Sequence, residues 1–274
     1  DNNKAAIIAL KNAIQLDPQA AELRFELGKI YLQEQDYESA EKELSRALDY
    51  GYQKAEVLPL LSKAFQQTRA DVAMTELPLE SSGLSNVDKV TVGYRKALSL
   101  LTLEKNKQAV LLSENLTALN VNSVYHNLLE LIPLLASEEY AEAVSKAEQA
   151  RDRSPLNSDA LLILARLYTS TGQGAKASET FKDYLRVEPT DIRVKFILAS
   201  LLIQQRDAKQ AEPLIDDLLA VNTKSPYLNQ LKSIARAVDN DHESALKYAE
   251  IAINTGRLDP TLRVVAGFAA YKTE

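Results

Sequence analysis

Apolar residues along this chain fall at i, i+3, i+4 and i+7, the spacing that gives a helix one buried face. In residues 21–47, Leu27, Gly28 and Tyr31 share a face of one helix, and Ala40, Leu44 and Ala47 share a face of the next. Residues 158–184 repeat the arrangement with Leu164, Ala165 and Tyr168, then Ala177, Phe181 and Tyr184. The phase is kept along the chain. Ala6, Ala40 and Met74 lie 34 residues apart, and after a slip of one residue the column continues through Ala109, Ala143, Ala177, Ala211 and Ala245. A second column holds Gly28, Ser62, Ala97, Leu131, Ala165, Ala199, Ser233 and Gly267, all small except Leu131. Helix axes approach closely only where the side chains at the crossing are small. The paired columns therefore predict a repeated helix-turn-helix unit, with starts near Ala21, Ala55, Val90, Val124, Ser158, Ile192, Pro226 and Pro260.

Punctuation follows the same phase. Asp17-Pro18, Ser154-Pro155, Glu188-Pro189, Ser225-Pro226 and Asp259-Pro260 end helices, because the residue before a proline is pushed out of the helical region. Asp36, Asp159, Asp191 and Asp241 are candidate N-caps, and Gly172-Gln173-Gly174 marks a tight turn. One unit breaks down. Pro78 takes a bulky apolar slot and Ser81-Ser82-Gly83 interrupts the following turn. A short helix over 71–77 and an irregular segment to about residue 87 are predicted there, a decayed repeat or else a functional insertion or hinge. Pro59 and Pro213 lie near helix starts, where proline is tolerated. Pro133 lies deeper and should kink or split its helix.

The period and both columns resemble the tetratricopeptide repeat (TPR). The resemblance implies an all-α, right-handed TPR superhelical solenoid of about seven repeats with half units at both ends. Its expected organisation is an N-terminal stack over 1–77, an irregular joint over 78–88 and a C-terminal stack over 89–274. Such an array is a binding surface whose units share one continuous core.

Composition narrows the chemistry. A net charge of −6 and no dense Lys/Arg run argue against nucleic acid, whose binders carry a basic footprint. With no cysteine, disulfides, thiolate metal sites and a Cys nucleophile are excluded, and a cytoplasmic or a periplasmic address suits the chain equally. No apolar run reaches the roughly 18 residues of a transmembrane helix. The chain starts at Asp1 in a second helix and stops at Glu274 in a first one, which reads as an excised segment.

The segments AAIIALKNAIQLDP, AELRFELGKIYL, YESAEKELSRALDYGY and VLPLLSKAF, within residues 5–65, resemble the TPR lipoprotein of the bacterial PEP-CTERM/exosortase system. That resemblance implies a periplasmic chain, lipid-anchored near its N-terminus, associated with exopolysaccharide production and protein sorting at the envelope, and without catalytic residues. The secretion subunits of bacterial cellulose synthesis, also periplasmic TPR proteins, form a second family of the same repeat type.

Catalytic constellations are missing from the sequence. His126 and His242 are the two histidines and lie in different repeats. Adjacent carboxylates such as Asp216/Asp217 and Glu138/Glu139 point about 100° apart on a helix, whereas a glycosidase needs two carboxyls flanking a sugar. Neither a phosphate-cradling loop nor a His-Glu metal motif occurs, so no catalytic, metal or cofactor residue is assigned. What remains is surface. The resemblance to TPR arrays implies a concave groove lined by first-helix positions 2, 5, 9, 12 and 13. Those positions hold Phe25, Lys29 and Leu32; Tyr94 and Leu98; Tyr125, Leu128 and Ile132; Leu162 and Arg166; Phe196 and Ile203; Tyr227 and Ile234. Aromatics are favoured interface anchors, although tight curvature would turn the same positions into core. Phe25, Lys29, Leu162 and Arg166 occupy slots where the carboxylate clamp of some TPR domains needs Lys and Asn, which disfavours chaperone tails. The expected function is a non-enzymatic scaffold that docks a protein or peptide in the groove. Polysaccharide stacked on Tyr94, Tyr125 and Tyr227 is the alternative, and a generic TPR adaptor a further one.

Overall fold

A computed structural model describes residues 2–80, 83–255 and 260–273. These form helix pairs in two compact units, one ending at Ala160 and the other beginning at Leu161. First helices are α2 (Ala21–Gln33), α4 (Lys54–Thr68), α6 (Asn86–Thr102), α8 (Val124–Leu129) with α9 (Ile132–Ala136), α11 (Ser158–Ser170), α13 (Ile192–Gln204), α15 (Pro226–Val238) and α17 (Pro260–Thr273). Second helices are α1 (Asn2–Leu16), α3 (Tyr37–Asp49), α5 (Asp71–Glu76), α7 (Asn106–Thr117), α10 (Tyr140–Arg153), α12 (Gly174–Val187), α14 (Ala208–Val221) and α16 (His242–Thr255). Among the described residues there is no strand, and no helix is long and apolar enough to cross a membrane.

Helix starts follow the expected phase, with one exception. Helix α6 begins four residues before Val90, because Ser85 accepts from the backbone N–H of Asp88 at 3.1 Å and caps the chain a turn early. Pro133 splits its helix into α8 and α9, standing in the first turn of α9, where its missing N–H leaves no bond broken. Helices α4 and α14 run on through Pro59 and Pro213. Asp36, Asp191 and Asp241 cap α3, α13 and α16. Asp159 does not cap α11: Asn157 takes that place, accepting from Ala160 N–H at 2.9 Å, and Asp159 turns inward. Ser81, Ser82 and Asp259 lie outside the described residues.

The turn inside each pair has one backbone solution. Gln35, Arg69, Glu104, Glu138, Gly172, Arg206 and Asn240 all have positive φ, between 57° and 73°. The next N–H reaches back to the first helix in every case: Asp36 to Tyr31, Ala70 to Phe65, Lys105 to Leu100, Glu139 to Leu134, Gln173 to Tyr168, Asp207 to Leu202 and Asp241 to Arg236, at 2.8–2.9 Å. This is the 6→1 bond of a Schellman ending, which satisfies carbonyls a helix end would leave open. Glycine is the residue that reaches this conformation without strain, yet only Gly172 supplies one.

Within the first unit α2 packs on α1 and α3, α4 on α3, α5 and α6, α6 on α7 and α8, and α10 on α8 and α9. Helices α5 and α6, on either side of residues 77–80 and 83–85, are therefore in contact inside one packed unit. Within the second unit α13 packs on α12, α14 and α15, and α16 on α15 and α17. The small columns run through both cores. Ala40, Met74, Ala109, Ala143, Ala177, Ala211 and Ala245 are fully buried, as are Ser62, Ala97, Leu131, Ala165, Ala199 and Ser233. At Gly28 a Cβ would come within 2.7 Å of Leu44 Cγ, whereas Gly267 in α17 has open space around it.

Candidate functional site

In the first unit the first-helix face is closed by side chains that converge on one carboxylate. Asp159, in the first turn of α11, is buried. Arg95 of α6 donates to its Oδ2 through Nε (3.2 Å) and Nη2 (3.0 Å). Tyr125 of α8 donates to the same oxygen at 2.9 Å, and Gln66 of α4 donates to Oδ1 at 2.6 Å. The remaining guanidinium nitrogen, Nη1, donates to Ser62 Oγ (2.9 Å) and the Pro59 carbonyl (3.2 Å). Four successive first helices thus share one buried network.

Its electrostatics are those of a satisfied ion pair. Burial opposes the charge on Asp159, but Arg95 and the bonds from Gln66 and Tyr125 outweigh it and hold the carboxyl below its ordinary range. Burial likewise opposes the Arg95 charge, and Asp159 outweighs it, so that the guanidinium pKa rises. Burial, followed by the Asp159 charge, pushes the Tyr125 phenol up to about 12.

The expected groove residues divide sharply. Phe25 is buried and stacked on Tyr52, ring centroids 4.3 Å apart. Tyr94, Leu128, Ile132, Leu162 and Ile203 are also buried. None of these six can anchor a partner as the structure stands. They pack into the core instead, each less than a tenth exposed. Tyr125 is half-buried and committed to Asp159. Lys29 is held by Glu26 at 2.9 Å and lies 5.2 Å over the Phe25 ring. Leu32, Leu98 and Ile234 are half-buried. Arg166 is exposed.

Phe196 and Tyr227 stand apart, exposed at 37% and 60%. Both belong to the second unit, on α13 and α15, which are adjacent first helices in contact. Ile192, 58% exposed, lies one turn before Phe196 on the same helical face. On α17, a further first helix of the second unit, Val264, Phe268 and Tyr271 are exposed as well.

Other titratable groups serve the scaffold. His126 Nε2 lies 3.7 Å from Glu130, and His242 meets Phe268 edge to face at 5.5 Å. Glu138 is a left-handed turn residue, and Glu139 accepts from Ser137 Oγ at 2.6 Å. Asp216 holds the buried Lys232 at 2.7 Å, and Asp217 holds Lys195 at 2.7 Å. No group of three or more His, Cys, Asp or Glu able to hold a metal occurs among the described residues. Sequence reasoning missed Gln66, Arg95 and Asp159 as a cluster, since nothing in their spacing signals that they meet.

Comparison with known proteins follows this architecture. The tetratricopeptide repeat profile matches residues 1–64 and 134–195, just under half of the chain. Solved structures of MamA are similar in fold. MamA AMB-1 superposes with a TM-score of 0.52 at 17% identity, covering 65% of this chain and 97% of that one. MamA MSR-1 gives 0.50 at 18% identity, covering 60% and 95%. Among curated proteins, the Homo sapiens protein O-mannosyl-transferase TMTC1 is 24% identical over 141 residues, 52% of this chain but only 15% of that protein. Residues 1–64 and 134–195 thus match tetratricopeptide repeats, and the described residues form an all-α array. The stretch left unmatched between residues 64 and 134 contains the short α5, α8 and the break before α9.

Proposed function

We propose, from the tetratricopeptide repeats as premise, that this chain is a non-enzymatic scaffold and that its docking surface is the first-helix face of the second unit. The observation that carries the reading is the exposure of Ile192, Phe196 and Tyr227 on adjacent helices, where the equivalent faces of the first unit are filled by core and by the Arg95–Asp159 network. Exposed apolar residues grouped on one face mark interaction surfaces, and aromatics are the commonest anchors. An extended peptide or a helix laid across α13 and α15 would bury both rings. The transferase name of the curated relative describes a whole protein of which the match covers 15%, so no activity is carried over.

The cellular setting in this reading is bacterial envelope machinery for exopolysaccharide production and exosortase-linked sorting, with the full protein periplasmic and lipid-anchored. It rests on the sequence segments of residues 5–65 alone. Fractionation of the source cells tests it, and a cytoplasmic location overturns it.

Photo-crosslinking in the native cell tests the surface, with the probe at Phe196 or Tyr227 and a control at the exposed Glu250 of α16. A discrete protein adduct at the two aromatic positions and not at the control is the expected result. A glycosidase-sensitive smear would replace the peptide with a polysaccharide, and equal adducts at all three positions would remove the surface from consideration.

A further inference from the structure

A second surface lies on the other helix layer of the second unit. Helices α12 and α14 flank a cleft of about 480 Å³, within the span of about 300–1,000 Å³ typical of ligand clefts. Its floor is Leu198 and Leu202 of α13, both 2% exposed, and its walls include Leu185 and Leu214. The rim is cationic on both banks: Lys182 and Arg186 one turn apart on α12, and Lys209 on α14. No carboxylate lines it.

This bias occurs on a chain of net charge −6, and the neighbouring acids explain how it persists. On α14, Glu212 is paired with Arg236 at 2.8 Å, Asp216 with Lys232 at 2.7 Å and Asp217 with Lys195 at 2.7 Å. All three carboxylates are drawn to other helices. On α12, Glu179 and Asp183 pair with Lys182 and Arg186 at i,i+3, but exposed pairs of this kind hold by only about 0–1 kcal/mol and yield to a better partner.

We infer that this cleft docks an acidic amphipathic segment of a partner protein, its aliphatic side chains on the leucine floor and its Asp/Glu side chains against Lys182, Arg186 and Lys209. The surface is distinct from the Phe196/Tyr227 patch and can be occupied independently of it.

Fluorescence anisotropy on the full chain provides the test. The probe is a labelled helical peptide with leucines at i, i+3, i+4 and i+7 and glutamates on both flanks. Matched peptides carry lysine for glutamate, or serine for leucine. Saturable binding of the acidic leucine peptide is expected, weakened by added salt and by about tenfold in Lys182→Glu/Lys209→Glu, and unchanged in Phe196→Ser. All three substituted side chains reach solvent, and circular dichroism confirms that the variants keep their helix. Equal binding of the lysine peptide, equal binding of the serine peptide, or loss of binding in Phe196→Ser would each overturn the proposal. Should a variant lose helix, the comparison of the three peptides on the unaltered chain decides alone.

Discussion

Gln66 Nε2 donates to Asp159 Oδ1 at 2.6 Å, although the two residues are 93 positions apart and α6 and α8 lie between their helices in sequence. The contact closes a loop that also takes in Arg95 and Tyr125. Removing one partner of a buried ion pair leaves the other charged and unsatisfied, at about 3–5 kcal/mol. Asp159→Ala should therefore lower the unfolding free energy of the first unit by that amount in urea titration. Replacing Arg95 and Asp159 together by Met and Leu should recover most of the loss, because a well-packed apolar pair is close to neutral.

The same network sets a pH dependence with two limbs. Tyr125 has its folded pKa raised to about 12, so its stabilising contribution is complete below about pH 10 and is lost as pH rises towards 12. That contribution is on the order of 2–3 kcal/mol. Asp159 has its folded pKa lowered. Its contribution is therefore complete above the ordinary carboxylate range near about 3.9 and is lost as pH falls through the depressed value. In melting curves against pH, Tyr125→Phe should flatten the alkaline limb and Asp159→Asn the acid limb. A tyrosine absorbance titration with no component above pH 11 would contradict the first assignment.

The left-handed turn column offers stability that the chain does not use. A non-glycine residue in this conformation is strained by about 1–2 kcal/mol, and glycine gives back about 0.4–1 kcal/mol through the unfolded chain. Arg206→Gly should thus raise the unfolding free energy by about 0.5–1 kcal/mol. Gly172→Ala should lower it by a similar amount, since Gly172 has φ +73° and open space where a Cβ would sit. Denaturant midpoints of the two variants should move in opposite directions.

Three helical glycines should respond differently to alanine. At Gly28 the new Cβ meets Leu44 Cγ, Cδ2 and backbone N within 3.4 Å, and the fully buried Leu44 has nowhere to turn. Overpacking of about 1–3 kcal/mol exceeds the gain of about 1 kcal/mol in helix propensity, so Gly28→Ala destabilises. At Gly93 the close contact is with the far end of Leu116, so alanine there should cost less than at Gly28. Gly267→Ala meets nothing and should gain up to about 1 kcal/mol. Thermal denaturation of the three variants should rank them in that order.

Much of this fold was legible because the repeat writes itself into short-range spacing. The columns through Ala40 and Ser62 located the crossings, Pro133 located the break in a first helix, and the collapse at Pro78 located the short α5. Position along a helix face does not separate groove from core, however. Phe25, Tyr94 and Leu162 carry the same spacing as Phe196, yet the first three are buried and Phe196 is exposed, a difference set by tertiary packing and not by local spacing. The Asp159 network was illegible for a related reason: its members come from four helices, and Asp159 at a helix start reads as an ordinary cap. The left-handed column left little trace either, because Gln, Arg, Glu and Asn stand where glycine would have announced it.

That column also bears on how such a chain can change. Each hairpin bend is closed by main-chain atoms alone, so residues of several kinds can occupy it at a modest cost in strain. A copied pair of helices would arrive with its own closure already encoded in chain geometry. Growth or loss by whole cassettes would then leave every bend intact, and lineage-specific tinkering would fall on the surfaces that neighbours and visitors touch.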